Sequence, residues 1–253
     1  MSGKVYLVGA GPGAPDLLTL RAARLLEQAD IVLHDALVHP ETVALAARAE
    51  KVAVGKRCGK LSAVQKFINK RLVDAARRHA VVVRLKGGDP MLFGRAQEEV
   101  EALEDAGIAY EIVPGVTAAL AASAHIGVSL TRRGVSRSVV FVTPRIGAQE
   151  SESDWASAVL HADTAAIYMG AGQAEAIAAK LIARGREPGT PVAIVESASL
   201  PGSKARYGTL RELASLANEV GEGPAVILVG EVVAESAAGN AIVSNLEGRA
   251  LAA

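Results

Sequence analysis

RLKGGDPMLFGR, Arg84–Arg95, packs a glycine pair, a third glycine, a carboxylate and two arginines into one short stretch. It overlaps the end of an apolar run, Val81–Leu85, that reads as a β-strand. Gly87 and Gly88 therefore fall where open α/β sheets hold ligands, at a strand's carboxyl end. The two glycines let backbone approach a ligand closely, and Asp89 offers an acceptor for ribose hydroxyls or an amine. VGAGPGAP, Val8–Pro15, occupies the same kind of position after the first strand. VPGVTAA, Val113–Ala119, repeats the theme with the hydroxyl of Thr117. A dinucleotide loop needs G-x-G-x-x-G, each glycine with its own steric purpose. Here Gly9, Gly11 and Gly13 alternate, Ala14 stands where the third fingerprint glycine belongs, and Pro12 removes a backbone N–H from the turn. Three small-residue turns with few donors for phosphate suit a compact ligand without phosphates. An atypical nicotinamide-binding Rossmann loop and a purely structural tight turn stay open as alternatives.

Elements able to position these turns follow from periodicity. Strands are expected at Val5–Val8, Ile31–Leu33, Val52–Val54, Val81–Leu85 and Tyr110–Val113. Between them come helices capped by Asp16 and running to Gln28, then Glu41–Arg48, Val64–Arg78 and Ala96–Ala106. In the first helix Leu17, Leu18, Leu20, Ala23, Leu25 and Leu26 are expected to face inward. This alternation predicts a mainly parallel, doubly covered sheet. After Pro114-Gly115 the pattern restarts. Helices are expected at Ala118–His125, Gln173–Arg184 and Leu210–Leu216, strands at Val139–Thr143, Ala165–Met169, Val192–Glu196 and Val226–Gly230, and an exposed loop at Gly147–Asp154. The expected fold is α/β, two domains with mainly parallel or mixed sheets: residues 1–114, 115–240, and a tail from 241 to 253.

Bulk composition narrows the functions. Half of the 253 residues are apolar, enough for a sizeable core. Lysine plus arginine and aspartate plus glutamate both number 27, so no net charge draws the chain to nucleic acid or an anionic membrane. Aromatics at 3% argue against stacking on single-stranded bases. A lone cysteine, Cys58, excludes an internal disulfide framework and leaves a structural zinc site without its usual ligands. With no signal-peptide pattern and no run long enough to span a bilayer, the expectation is a soluble cytoplasmic protein.

VGAGPG, HDALV, VGKR, RLKGGDPMLFGR, VPGVTAA and AIYMG, in this order along the chain, resemble the tetrapyrrole (corrin and sirohaem) methylases, most closely the uroporphyrinogen-III C-methyltransferase branch of that family. The resemblance runs from Val5 to about Val233. It implies S-adenosylmethionine as methyl donor, with S-adenosylhomocysteine as product and no metal. It also implies C-methylation of uroporphyrinogen III to precorrin-1 and then precorrin-2, and a homodimer. In the family the donor lies folded between two α/β domains (class III methyltransferases). Carried onto matching positions, its contacts are Pro12, Gly87, Gly88, Asp89, Leu92, Thr117, Ala118, Met169, Ala198 and Ala225. Asp35 and Lys56 match a proton acceptor and donor, Arg95 and Glu98 match a segment tied to catalysis and substrate handling, and Arg133 and Met169 match substrate contacts.

Uroporphyrinogen is ringed by carboxylates, which arginine's fork grips in bidentate fashion. Arg132, Arg133, Arg137 and Arg145 form one cationic cluster, and Lys56, Arg57 and Lys60 another. Two positions depart from the family pattern. Arg132 and Arg145 stand where histidines are usual, which keeps positive charge but removes titration near neutral pH. The alternatives are a sibling enzyme acting on a later precorrin or another tetrapyrrole, an NAD(P)-dependent oxidoreductase, or a non-catalytic S-adenosylmethionine-binding domain.

Overall fold

The computed structural model describes residues 3–54, 61–147, 151 and 153–234. They form two compact units, one ending at Ala118 and the other beginning at Ala119.

In the first unit, β1 (Lys4–Gly9), β2 (Ile31–His34), β3 (Glu50–Ala53), β4 (Val81–Lys86) and β5 (Tyr110–Val113) alternate with α1 (Leu20–Gln28), α2 (Pro40–Ala44), α3 (Leu61–Ala76) and α4 (Ala96–Asp105). The strand order is β3-β2-β4-β1-β5, with every pairing parallel. Period-two alternation sends Val5 and Leu7 to one face, where Ile68 and Leu72 of α3 and Val100 and Leu103 of α4 cover them. Val8, Val32, Val83 and Leu85 face the other side, under Ala22 and Leu26 of α1. A sheet buried on both faces must have apolar strands, which is why VVV and IVL run together here.

α1 begins later than the sequence suggested. Pro15–Leu17 forms a separate 3₁₀ turn, and the Oγ1 of Thr19, not Asp16, caps the helix by accepting from the Ala22 amide at 3.1 Å. Leu17 and Leu20, expected inside, are exposed as a result. α2 is also shorter than expected, entered through Pro40 with the His39 ring accepting from the Glu41 amide.

α5 (Ala118–His125) begins at the junction of the units. In the second unit follow β6 (Val139–Val142), α6 (Trp155–His161), β7 (Thr164–Tyr168), α7 (Ala174–Ala183), β8 (Pro191–Glu196), β9 (Lys204–Thr209), α8 (Leu213–Asn218) and β10 (Ala225–Val229). The order is β6-β7-β10-β8-β9; β6 and β7 are parallel and the other pairings antiparallel. One core joins Val159 of α6, Ile177 and Leu181 of α7 and Leu213 of α8 to Ile167, Ile194 and Ile227. The sequence reading missed α6 and β9. α6 is a single short helix, and β9 is a half-exposed edge strand, KARYGT, with no clean alternation.

Candidate active site

In the first unit β4, β1 and β5 are neighbours, so the three glycine turns leave the sheet side by side. They interlock. The Gly11 amide donates to the Gly88 carbonyl (3.2 Å) and the Gly88 amide to the Gly11 carbonyl (2.7 Å), while Ala10 N–H donates to Lys86 (2.7 Å). A Cβ on Gly9 would lie 2.6 Å from the Gly115 nitrogen and one on Gly115 2.4 Å from the Gly88 oxygen, so two of the three turns need glycine for the contact itself, while Gly88 is needed for its left-handed backbone at φ 67°. Asp89 completes the joint: Oδ1 accepts from the Met91 amide (2.8 Å) and Oδ2 from the Gly115 amide (2.9 Å). A phosphate cradle presents free amides. Here five amides, those of Ala10, Gly11, Gly88, Met91 and Gly115, serve the turns themselves. The space beside Gly88 stays open, the nearest atom to a Cβ there being Thr117 Cα at 3.9 Å.

Asp35 stands at the carboxyl end of β2, and its Oδ1 accepts from Arg84 Nη2 at 2.5 Å. Val81–Leu85 is therefore not the purely apolar strand that its pattern suggests, since Arg84 lies within it and is buried. Arg84 Nε donates to Glu99 Oε1 (2.9 Å), and Lys86 Nζ donates to Glu99 Oε2 (2.9 Å). Burial alone would push the Arg84 guanidinium down; Glu99 and Asp35 overcome it, and its pKa is raised. Lys86 goes the other way: burial and the Arg84 charge lower its pKa against the pull of Glu99 and Asp35. Neither Glu99 nor Lys86 was among the residues picked from the sequence. The available signal was two cations inside the VVVRLK strand, with a buried carboxylate demanded elsewhere to pair them.

Arg95 and Glu98 do meet, in a bidentate pair of 2.6 and 2.7 Å. The pair spans the helix start, since Arg95 is the residue before α4, in the left-handed region at φ 54°. Both are largely exposed, so this pair contributes little to stability. Lys56, Arg57, Cys58 and Lys60 lie outside the described residues.

In the second unit, antiparallel register brings the carboxyl ends of β7 and β8 level with the start of β10: Tyr168 faces Val226, and Glu196 faces Ala225. Met169, Ala198 and Ala225 are thereby gathered at one end of the sheet. Met169, Ser197 and Ser199 all have left-handed backbone (φ 55°, 52° and 74°), a conformation costly for residues with a Cβ and one that clusters at functional sites. Glu196, another residue not picked from the sequence, holds this end together. Its carboxylate accepts from the Gly221 (2.9 Å) and Gly223 (2.7 Å) amides. The Gly221 amide is the main cause of its lowered pKa, with Gly223 adding to it against the opposing effect of burial. Arg145 approaches the Met169 sulfur at 3.9 Å. Arg133 does not join this group. Its exposed turn is anchored by the Ser136 hydroxyl on Thr164, at the opposite end of β7 from Met169, and borders a groove of about 380 Å³ lined by Thr131, Arg132, Ser136 and Arg137.

Interlocked small-residue turns at the strand ends of the first unit, and left-handed backbone at the strand ends of the second, belong to a two-unit α/β protein of mixed and parallel sheets. The family described as Tetrapyrrole (Corrin/Porphyrin) Methylases matches residues 4–214. The siroheme synthase of Zymomonas mobilis is 46% identical over 231 residues, 91% of this chain and 49% of that protein. The chain spans about half the length of the curated relatives it matches. A uroporphyrin-III C-methyl transferase from Thermus thermophilus, solved in complex with S-adenyl homocysteine, is 42% identical with a TM-score of 0.79, covering 91% of this chain and 99% of that one. A cobalt precorrin-4 methyltransferase, at 30% identity, has a TM-score of 0.80 over 91% of this chain and 95% of that one. This chain belongs to the tetrapyrrole methylase family.

Proposed function

We propose that this chain transfers methyl groups from S-adenosylmethionine to ring carbons of uroporphyrinogen III, giving precorrin-1 and then precorrin-2. The observation that carries the reading is the interlocked turn system of the first unit, in a chain that belongs to this family. Its amides are committed to Gly11, Gly88, Lys86 and Asp89, which disfavours a pyrophosphate and suits a sulfonium nucleoside. This also argues against a nicotinamide-dependent oxidoreductase. In this reading Pro12, Gly87, Gly88, Asp89, Leu92, Thr117 and Ala118 of the first unit and Met169, Ala198 and Ala225 of the second contact the donor. Asp89 keeps lone pairs for a ribose hydroxyl beyond those spent on Met91 and Gly115.

Bound there, S-adenosylmethionine supplies an already activated methyl group, so the chain's work is placement and proton handling. Asp35 receives the proton released from the methylated ring, since Arg84 occupies Oδ1 and leaves Oδ2 available among the described residues. Lys56 is the proton donor in this scheme. Arg95, held flat by Glu98, offers its charge to a substrate carboxylate or to charge developing in the ring, and Met169 borders the substrate. Arg133 supplies a carboxylate contact from the far end of β7. The chain works as a homodimer, which light scattering tests directly.

Anaerobic incubation with uroporphyrinogen III and S-adenosylmethionine, followed by product mass, tests the reading. One and then two added methyl groups are expected, and cofactor-binding protein that yields no methylated product sinks it. A second reading, methylation of another tetrapyrrole, is favoured by Arg145 against Met169 where the family usually has histidine nearby. It predicts product only when a later precorrin is supplied.

A further inference from the structure

Asp35, Arg84, Glu99 and Lys86 form one chain of hydrogen-bonded ions running from the ligand end of the first sheet into its core. Glu99 is fully buried, and the Arg84 and Lys86 side chains are 2% and 4% exposed, whereas Asp35 is 29% exposed. Among the described residues the network thus opens to solvent at Asp35. Its four formal charges cancel in pairs, and Arg84 Nη1 is spent on backbone, reaching the Leu33 and Leu85 carbonyls at 3.4 and 3.1 Å. Gln65 extends it, donating to Glu99 Oε1 (3.4 Å) and Asn69 Oδ1 (2.9 Å), and Asn69 in turn donates to the Glu98 carbonyl (2.8 Å).

Buried ion networks are poor stabilisers; apolar residues of similar volume often serve as well or better. In a sheet otherwise packed with valine, leucine and isoleucine, stability gives no reason for two cations and a carboxylate. Geometry supplies one. Glu99 divides its two oxygens between Arg84 and Lys86, so the guanidinium has one orientation in which Nε meets Glu99 and Nη2 meets Asp35. We infer that Glu99 is a positioning residue for methyl transfer, acting through Arg84 to fix the Asp35 carboxylate with Oδ1 engaged and Oδ2 turned to the reacting ring. Lys86 is its counter-ion, so that the buried Glu99 carboxylate has a cation on each oxygen. This inference rests on the proposed role of Asp35.

The test compares the full-length wild type with Glu99→Gln, Asp35→Asn and the double variant, by single-turnover methyl transfer, S-adenosylhomocysteine affinity and crystal structures. Glu99→Gln is expected to slow transfer about ten- to a hundredfold, the usual penalty for loosening a supporting residue. S-adenosylhomocysteine affinity stays within about twofold of wild type. The double variant is no slower than Asp35→Asn alone, because Glu99 acts only through Asp35. Losses that multiply, or a Glu99→Gln rate within twofold of wild type, overturn the inference. The crystal structures decide independently of the acceptor: the Arg84–Asp35 bond is lost in Glu99→Gln, and finding it intact overturns the inference. A wild type inactive on uroporphyrinogen III sinks the substrate assignment and leaves this structural arm standing. If Glu99→Gln does not fold, the charge-balanced Lys86→Gln/Glu99→Gln pair takes its place with the same outcomes.

Discussion

The two units solve the same problem, holding a strand end ready for a ligand, by different physics. In the first, five parallel strands end together, and the turns beyond them are fixed by glycine contacts and by ions buried in the sheet. In the second, antiparallel pairing supplies the end, and the order comes from left-handed backbone at Met169, Ser197 and Ser199 with one carboxylate, Glu196, tying down a loop. Removing one member of a buried ion network, or adding a Cβ at a close glycine contact, is costly. Strained backbone is released cheaply. The first unit should therefore fail in stability when its site is altered, and the second in ligand affinity.

The largest effect tests the buried network. Glu99→Leu strips Arg84 and Lys86 of their shared anion, and denaturant unfolding should show a loss of about 3–5 kcal/mol. Gly115→Ala comes next: the new Cβ meets the Gly88 carbonyl, forcing the turns apart at a cost of roughly 3 kcal/mol, visible as a lowered thermal midpoint. A destabilisation under about 1 kcal/mol for either would show that the first unit is as pliable as the second.

Glu196→Gln sharpens the contrast through pH. The folded-state pKa of Glu196 is lowered, so its stabilisation is complete above the unfolded carboxylate value and disappears as pH falls through the folded one. At neutral pH the variant should be less stable by about 1–2 kcal/mol. The gap should close as the solution is acidified past the carboxylate range, and a gap that persists would assign the loss to packing instead of charge. The smallest expected change is Met169→Gly. Glycine removes the left-handed penalty but gains entropy in the unfolded chain, so stability should stay within about 1 kcal/mol of wild type. Affinity for S-adenosylhomocysteine, read by calorimetry, should nevertheless fall; unchanged affinity would remove Met169 from the donor site.

Several features were legible from residue types alone. Short apolar runs located nine of the ten strands among the described residues, because a sheet covered by helices favours apolar side chains on both faces. Glycine spacing and Pro12 weakened the phosphate reading without coordinates. Asp16 misled because a carboxylate before a leucine run is a good cap, but Pro15 starts a 3₁₀ turn that uses the residue first. α6 was missed because it is a helix of only seven residues, and β9 because, as a half-exposed edge strand, it shows neither an apolar run nor a clean alternation.

Sequence by itself determined the alternation of elements, the apolar faces and the unusual glycine turn, since these follow from local sterics and from side-chain periodicity. Only the tertiary structure decided that three distant turns share their amides, that Arg84, Lys86 and Glu99 neutralise one another behind Asp35, and that Glu196 anchors Gly221 and Gly223. Those pairings join residues far apart in the chain, and a buried charge announces that it needs a partner without saying which one; strand order and register make the choice.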